Sequence, residues 1–279
     1  MLIDTHCHLD APELRPDRRE VIAAAGAAGV AGIVIPAVAR SNFNAVRRLA
    51  HAMPGGAYAL GIHPLYVGQA GKDDLLRLRQ ELLARKDDPR LVAIGEIGLD
   101  FFVPGLAEGE ARERQEYFYQ VQLDLALETG LPVLLHVRRS QDVLLKHLRR
   151  RAAIGGIAHA FNGSAQQAEM FIRQGFALGI GGAMTYARAL QIRRLAAAVP
   201  LAHLVLETDA PDIPPAWLVA PERRNTPAQV ARIAAELAQL RGLTVEDVID
   251  ATGATACRVL PRLGRLLSAP GQALAGVDG

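Results

Sequence analysis

Two histidines one residue apart, His6 and His8, stand in the opening stretch Leu2-Ile3-Asp4-Thr5-His6-Cys7-His8. In an extended segment alternate side chains share a face, so Asp4, His6 and His8 project one way and Thr5 and Cys7 the other. Imidazole nitrogens are common ligands of divalent metals, and such a pair at a strand end offers two of them to one ion. A lone H-x-H is equally compatible with surface or hydrogen-bonded histidines. The same placement recurs along the chain, because His63, Glu96, His136, His159 and Asp209 each follow a short apolar run. Polar groups at the ends of buried strands are costly unless they find partners, so their accumulation points to a shared site. Taken singly, Glu96 reads as an ion-pair partner, His136 and His159 as satisfied core histidines, and Asp209 as a turn residue. Together, four histidines and two carboxylates suffice for two divalent ions if one carboxylate bridges. Paired ions about 3.5–4 Å apart can hold a hydroxide, bind a phosphoryl oxygen and neutralise a leaving oxygen, which suits hydrolysis.

The elements that must position these residues alternate in kind. Apolar periodicity predicts helices over 17–29, 73–86, 110–129, 141–150, 164–174 and 188–198, and another from a Ser41 cap through Leu49. Between them lie short apolar strands at 32–35, 57–62, 91–95, 132–135, 156–158, 176–181 and 203–206. With the opening strand these make eight, the pattern of an α/β fold of the (β/α)8 TIM-barrel type, whose active sites sit at the C-terminal strand ends. A doubly wound open sheet is the alternative, but no G-x-G-x-x-G fingerprint supports it. Helices over 226–241 and 244–260, the second capped by Thr244, then close the barrel. Residues 1–265 are expected to form one domain, and 266–279, rich in Gly and Ala, a flexible tail.

Bulk composition narrows the function classes. The chain of 279 residues, 50% hydrophobic, can bury one large core. Thirty-one basic against 29 acidic side chains leave a net charge of +2, which excludes polyanion binding by bulk electrostatics. A local rim of Arg138, Arg139, Arg188, Arg223 and Arg224 remains available to phosphate, while Arg149-Arg150-Arg151 reads as a solvated helix end. Two cysteines, Cys7 and Cys257, give no disulfide framework, and strand parity turns Cys7 toward the packed outer layer. With no leader-like N-terminus and no 18-residue apolar stretch, a soluble cytoplasmic protein without membrane or obligate protein partner is expected.

Six separated motifs resemble, in order, those of the TatD family of metal-dependent hydrolases. They are Ile3-Asp4-Thr5-His6-Cys7-His8, Gly61-Ile62-His63-Pro64, Gly95-Glu96-Ile97-Gly98-Leu99-Asp100, Leu135-His136-Val137-Arg138, His159-Ala160-Phe161-Asn162-Gly163-Ser164 and Glu207-Thr208-Asp209-Ala210-Pro211. Arg224-Asn225-Thr226-Pro227 resembles the family's R-N-x-P element, and the Gly181–Tyr186 segment looks like its YjjV-type branch. Ala160 stands where many members have Cys. The resemblance spans about residues 2–260 and implies a TIM barrel with two metal ions per subunit. It places His6, His8, Glu96 and Asp209 on one metal, and the bridging Glu96 with His136 and His159 on the other. Asp209 and Glu96 would be catalytic, Asp209 as the base that orients the attacking water. His63 and Arg138 would face the substrate phosphate, and Arg224 and Asn225 would hold the nucleic-acid chain near the rim. The implied activity is a deoxyribonuclease, most simply an exonuclease, hydrolysing phosphodiesters of DNA with a two-metal-activated water. Histidine nitrogens suit Zn2+ or Mn2+, and the carboxylates also admit Mg2+. Asp4 and Glu207 share strand parity with the ligands, so each either orients a ligand from behind or forms an ion pair inside the barrel. The alternative enzyme is an amide or ester hydrolase, amidohydrolase-like or a deacylase, using the same metals. A metal- or partner-binding barrel with little catalysis is the non-enzymatic alternative.

Overall fold

The computed structural model describes residues 1–221 and 223–271. Eight strands follow one another around a single parallel sheet: β1 (Leu2–Asp4), β2 (Val30–Pro36), β3 (Gly56–Leu60), β4 (Leu91–Asp100), β5 (Val133–Arg138), β6 (Gly156–His159), β7 (Phe176–Ile180) and β8 (Leu204–Leu206). Parallel neighbours need crossover connections, and the amphipathic segments between strands supply them as helices. These are α1 (Arg18–Ala27), α2 (Phe43–His51), α3 (Lys72–Ala84), α4 (Gly109–Thr129), α5 (Gln141–Leu148), α6 (Ala165–Arg173) and α7 (Leu190–Ala198). After β8 come α8 (Gln229–Arg241), α9 (Val245–Val259) and α10 (Pro261–Ser268). Backbone bonds from Thr5 N to Leu206 O (3.1 Å), Asp209 N to His6 O (2.8 Å) and His8 N to Ala210 O (2.8 Å) join the first strand to the last. The expected TIM barrel is present.

Strand alternation divides the interior into two layers. Ile3, Val34, Ala57, Val92, Leu134, Ile157, Ala177 and Val205, one from each strand, fill the barrel interior with Leu263, Leu266 and Leu267 of α10. The opposite faces pack with the surrounding helices, and buried Cys7 lies in that outer layer as parity requires. Thr244 caps α9 by accepting from Asp247 N at 3.1 Å. No helix among the described residues is long and apolar enough to cross a membrane.

Three local expectations change. Ser41 does not cap α2; the cap position is Asn42, whose Oδ1 accepts instead from Val38 N and Ala39 N at 3.1 Å each and holds the loop after β2. Strand β4 runs on past Glu96 to Asp100. The expected tail begins too early, because Leu266 and Leu267 are buried within α10; its residues 272–279 lie outside the described residues.

Candidate metal centre

Closure of the barrel brings the two ends of the sequence together at the C-terminal rim. The buried Asp4 carboxylate accepts from Thr208 Oγ1 (2.6 Å), Thr208 N (3.0 Å) and His6 N (3.2 Å). It thereby ties the stretch carrying His6 and His8 to the stretch carrying Asp209. A third stretch arrives through a close approach of β4 and β5, where Gly98 pairs with His136. Gly98 has φ +142°, and a Cβ there would lie 2.3 Å from His136 O. Only glycine fits.

Glu96 sits in the middle. Its Oε2 is 3.1 Å from His6 Nε2 and 3.3 Å from His8 Nε2, while its Oε1 is 2.8 Å from His136 Nδ1 and 3.4 Å from His63 Nε2. Asp209 Oδ1 lies 3.5 Å from His159 Nε2, 3.6 Å from His8 Nε2 and 3.7 Å from His6 Nε2. The His6 and His159 rings stack with centroids 3.6 Å apart. All six expected ligands therefore converge on one place.

The donors fall into three groups whose ligand atoms all lie within 4.8 Å of one another: His6, His8 and Asp209; His6, Glu96 and His159; and His63, Glu96 and His136. This mix of imidazole nitrogens and carboxylate oxygens suits divalent cations. Glu96 faces histidines with both oxygens, as a bridging carboxylate must. The grouping differs from expectation in two ways. His159 stands with His6 and Glu96, and His63, read from resemblance as a substrate contact, stands at ligand distance beside His136.

The cluster's charges depend on one another. Burial pushes the Glu96 carboxyl up, yet the neighbouring His63 and His6 and the hydrogen bonds from His136 and His6 outweigh it and hold Glu96 well below the usual range. Asp209 is likewise ionised more readily than usual, because His159, His6 and His8 overcome its burial. Burial pulls His8 down, but Glu96 and Asp209 outweigh it and lift His8 to about 9. His63 goes the other way, to about 4, since burial and then the positive field of His136 outweigh Glu96. Both central carboxylates are thus charged at neutral pH and available to cations.

Other residues support this cluster from behind. Glu207 Oε1 accepts from Ala160 N at 2.6 Å and lies 3.0 Å from His159 Nδ1, so of its two readings the structure favours orientation of a ligand. Asp100 was part of a quoted motif but had no assigned role. Its Oδ2 is 3.1 Å from His136 Nε2, while Oδ1 accepts from Phe102 N (2.8 Å) and Val103 N (3.1 Å). Its signal was in the sequence, since Asp100 follows Glu96 and Gly98 at strand period.

Among the expected substrate contacts, Arg138 fits best. Its side chain is 48% exposed, and Nη1 is 3.8 Å from Asp100 Oδ2. Arg224 instead donates to both Asp17 carboxylate oxygens (2.7 and 2.5 Å) and to Glu13 O (2.8 Å), bracing the segment before α1. Asn225 is 0% exposed, and its Nδ2 donates to Thr208 O and Asp212 O at 2.8 Å each. A buried amide occupied in this way holds the loop after β8 rather than touching a ligand.

Comparison with known proteins gives a consistent picture. The family model described as TatD related DNase matches residues 3–261. The uncharacterized metal-dependent hydrolase YjjV of Escherichia coli (strain K12) is 40% identical over 250 residues, which cover 89% of this chain and 93% of that protein. The 3'-5' ssDNA/RNA exonuclease TatD of Pantoea vagans is 34% identical over 255 residues, covering 88% of this chain and 94% of its own. The crystal structure of E. coli YjjV superposes with a TM-score of 0.85 at 38% identity, covering 93% of this chain and 98% of that one.

Proposed function

Because this chain belongs to the family of TatD-related DNases, we propose that it hydrolyses phosphodiester bonds in nucleic acid, as a deoxyribonuclease working from strand ends. The observation that carries this reading is Glu96, whose two oxygens each face a different pair of histidines. His6, His8, Glu96 and Asp209 are the residues to hold one divalent ion, and Glu96 and His136, with His63 or His159, the other. Such ions, when bound, lower the pKa of water toward about 7 and neutralise charge developing on phosphoryl oxygens. Asp209, kept ionised by its histidines, accepts the proton of the attacking water at its carboxylate. Arg138 has guanidinium donors free to take a phosphate oxygen and stabilise negative charge as the ester bond breaks. A reducing cytoplasm suits the free thiols Cys7 and Cys257.

The test is digestion of 5′- and 3′-labelled single-stranded and duplex DNA by metal-stripped protein resupplied with Mg2+, Mn2+ or Zn2+, with Glu96→Ala alongside. Stepwise shortening that needs both metal and Glu96 is the expected result. Intact DNA with every metal, each shown to bind, would overturn the reading and transfer the chemistry to carboxyl esters or amides.

A further inference from the structure

On the loop between β4 and α4, Phe102 is 45% exposed. Exposed phenylalanines are ordinary taken singly, but this one has company. The Arg138 and Arg139 guanidinium carbons lie 4.0 and 4.7 Å from its ring centroid. Arg139 reaches that position from a left-handed backbone, φ 54°, which side-chain-bearing residues adopt only where the surroundings hold them there. Phe102 is also fixed to the metal centre. The Asp100 carboxylate that accepts from Phe102 N at 2.8 Å also faces His136 Nε2 at 3.1 Å. Strand register pairs Asp100 with Arg138 and Gly98 with His136, which places the ring, Arg138 and the candidate ligand on adjoining strand ends.

A half-exposed aromatic ring with two guanidinium groups over it combines the chemistries that recognise a nucleotide. Bases stack on such rings with little regard to sequence, and arginine takes the adjoining phosphate. We propose that Phe102 is the platform on which the base of the nucleotide being removed stacks, with Arg138 and Arg139 holding the phosphate of that nucleotide. The subsite rests on the phosphodiesterase reading and deepens it: hydrolysis is favoured by a base, of any identity, at the departing nucleotide.

The experiment compares single-stranded oligonucleotides bearing either a normal base or an abasic residue at the departing nucleotide. Wild-type protein, Phe102→Ala and Phe102→Trp are measured with metal, and kcat and KM are separated. Wild-type protein is expected to favour the base-bearing substrate by about 5- to 100-fold, mainly through KM, the range set by base–aromatic stacking. Phe102→Ala should bring that ratio close to one, and Phe102→Trp should preserve it. A ratio unaffected by Phe102→Ala, or already near one in wild type, overturns the platform while leaving the nuclease standing. If wild type cuts neither oligonucleotide, the nuclease reading fails instead. The platform is then judged by fluorescence anisotropy of both oligonucleotides on Glu96→Ala protein, where equal affinities overturn it.

Discussion

Among the described residues Glu207 carries a buried oxygen, Oε2, with no hydrogen-bond partner, while Oε1 accepts from Ala160 N and lies 3.0 Å from His159 Nδ1. What makes room for this carboxylate is Gly179 on the neighbouring strand, where an added Cβ would stand 2.2 Å from Oε2. Gly179→Ala should therefore displace Glu207 and release His159 without touching any ligand. Disturbed support behind a metal ligand lowers affinity by about 10- to 100-fold, and titration calorimetry with Mn2+ or Zn2+ should register that loss. Wild-type affinity in this variant would mean that Glu207 does not orient His159. The candidate ligands could be picked out in the sequence because each ends an apolar run, a signal local to its own strand. Phe102 was not singled out, since its importance comes from contacts with the next strand. Arg224 and Asn225 show the opposite difficulty: a motif marks them, but whether such side chains face solvent or the protein depends on the fold around them.

Among the elements, α10 escaped the sequence reading because the run after Pro261 is short and borders a Gly- and Ala-rich stretch. Its Leu263, Leu266 and Leu267 nevertheless seal the end of the barrel opposite the metal centre. Asp88, in the connection between α3 and β4, secures the same end. Its carboxylate accepts from Tyr58 Oη (2.8 Å) and Arg90 N (3.0 Å) and meets His51 Nε2 at 2.8 Å, and Arg262 of α10 donates to its backbone oxygen at 3.4 Å. Burial raises the Asp88 pKa, but the bonds from His51, Arg90 and Tyr58 outweigh it, so the folded value lies below the model-peptide value of 3.8. Stability from this group is complete above the unfolded pKa and is lost as pH falls through the folded one. Asp88→Asn should lower stability at pH 7 by about 2 kcal/mol, a drop in melting temperature of roughly 4–8 °C. The gap should shrink below about pH 4, where wild type also loses the charge. Thermal melts across this range check the sign, and a gap that widens in acid would refute it.

For the molecule as a whole, the barrel was readable from eight apolar runs spaced by helical periods, and the convergence of imidazoles and carboxylates from what those runs end on. Loop conformation was not, because it is set by contacts distant in sequence. Binding to the folded state alone would make a bound ion part of its stability: at 100 times its dissociation constant one ion adds about 2.7 kcal/mol. Chelation should then lower the melting temperature by roughly 5–10 °C, and Glu96→Ala should abolish that difference. A wild-type melt indifferent to chelator would count against tight resident ions. Joining the first strand to the last also has a consequence for biosynthesis. His6 leaves the ribosome well before Asp209 and the Thr208 hydroxyl that fastens Asp4, the Asp4–Thr208 separation being 204 residues. At ordinary elongation rates the nascent chain carries an unfinished ion site for roughly 10–40 s. A polypeptide that stops short of Asp209 has His6 and His8 without the aspartate that faces them, so the assembled centre reports that synthesis has passed β8.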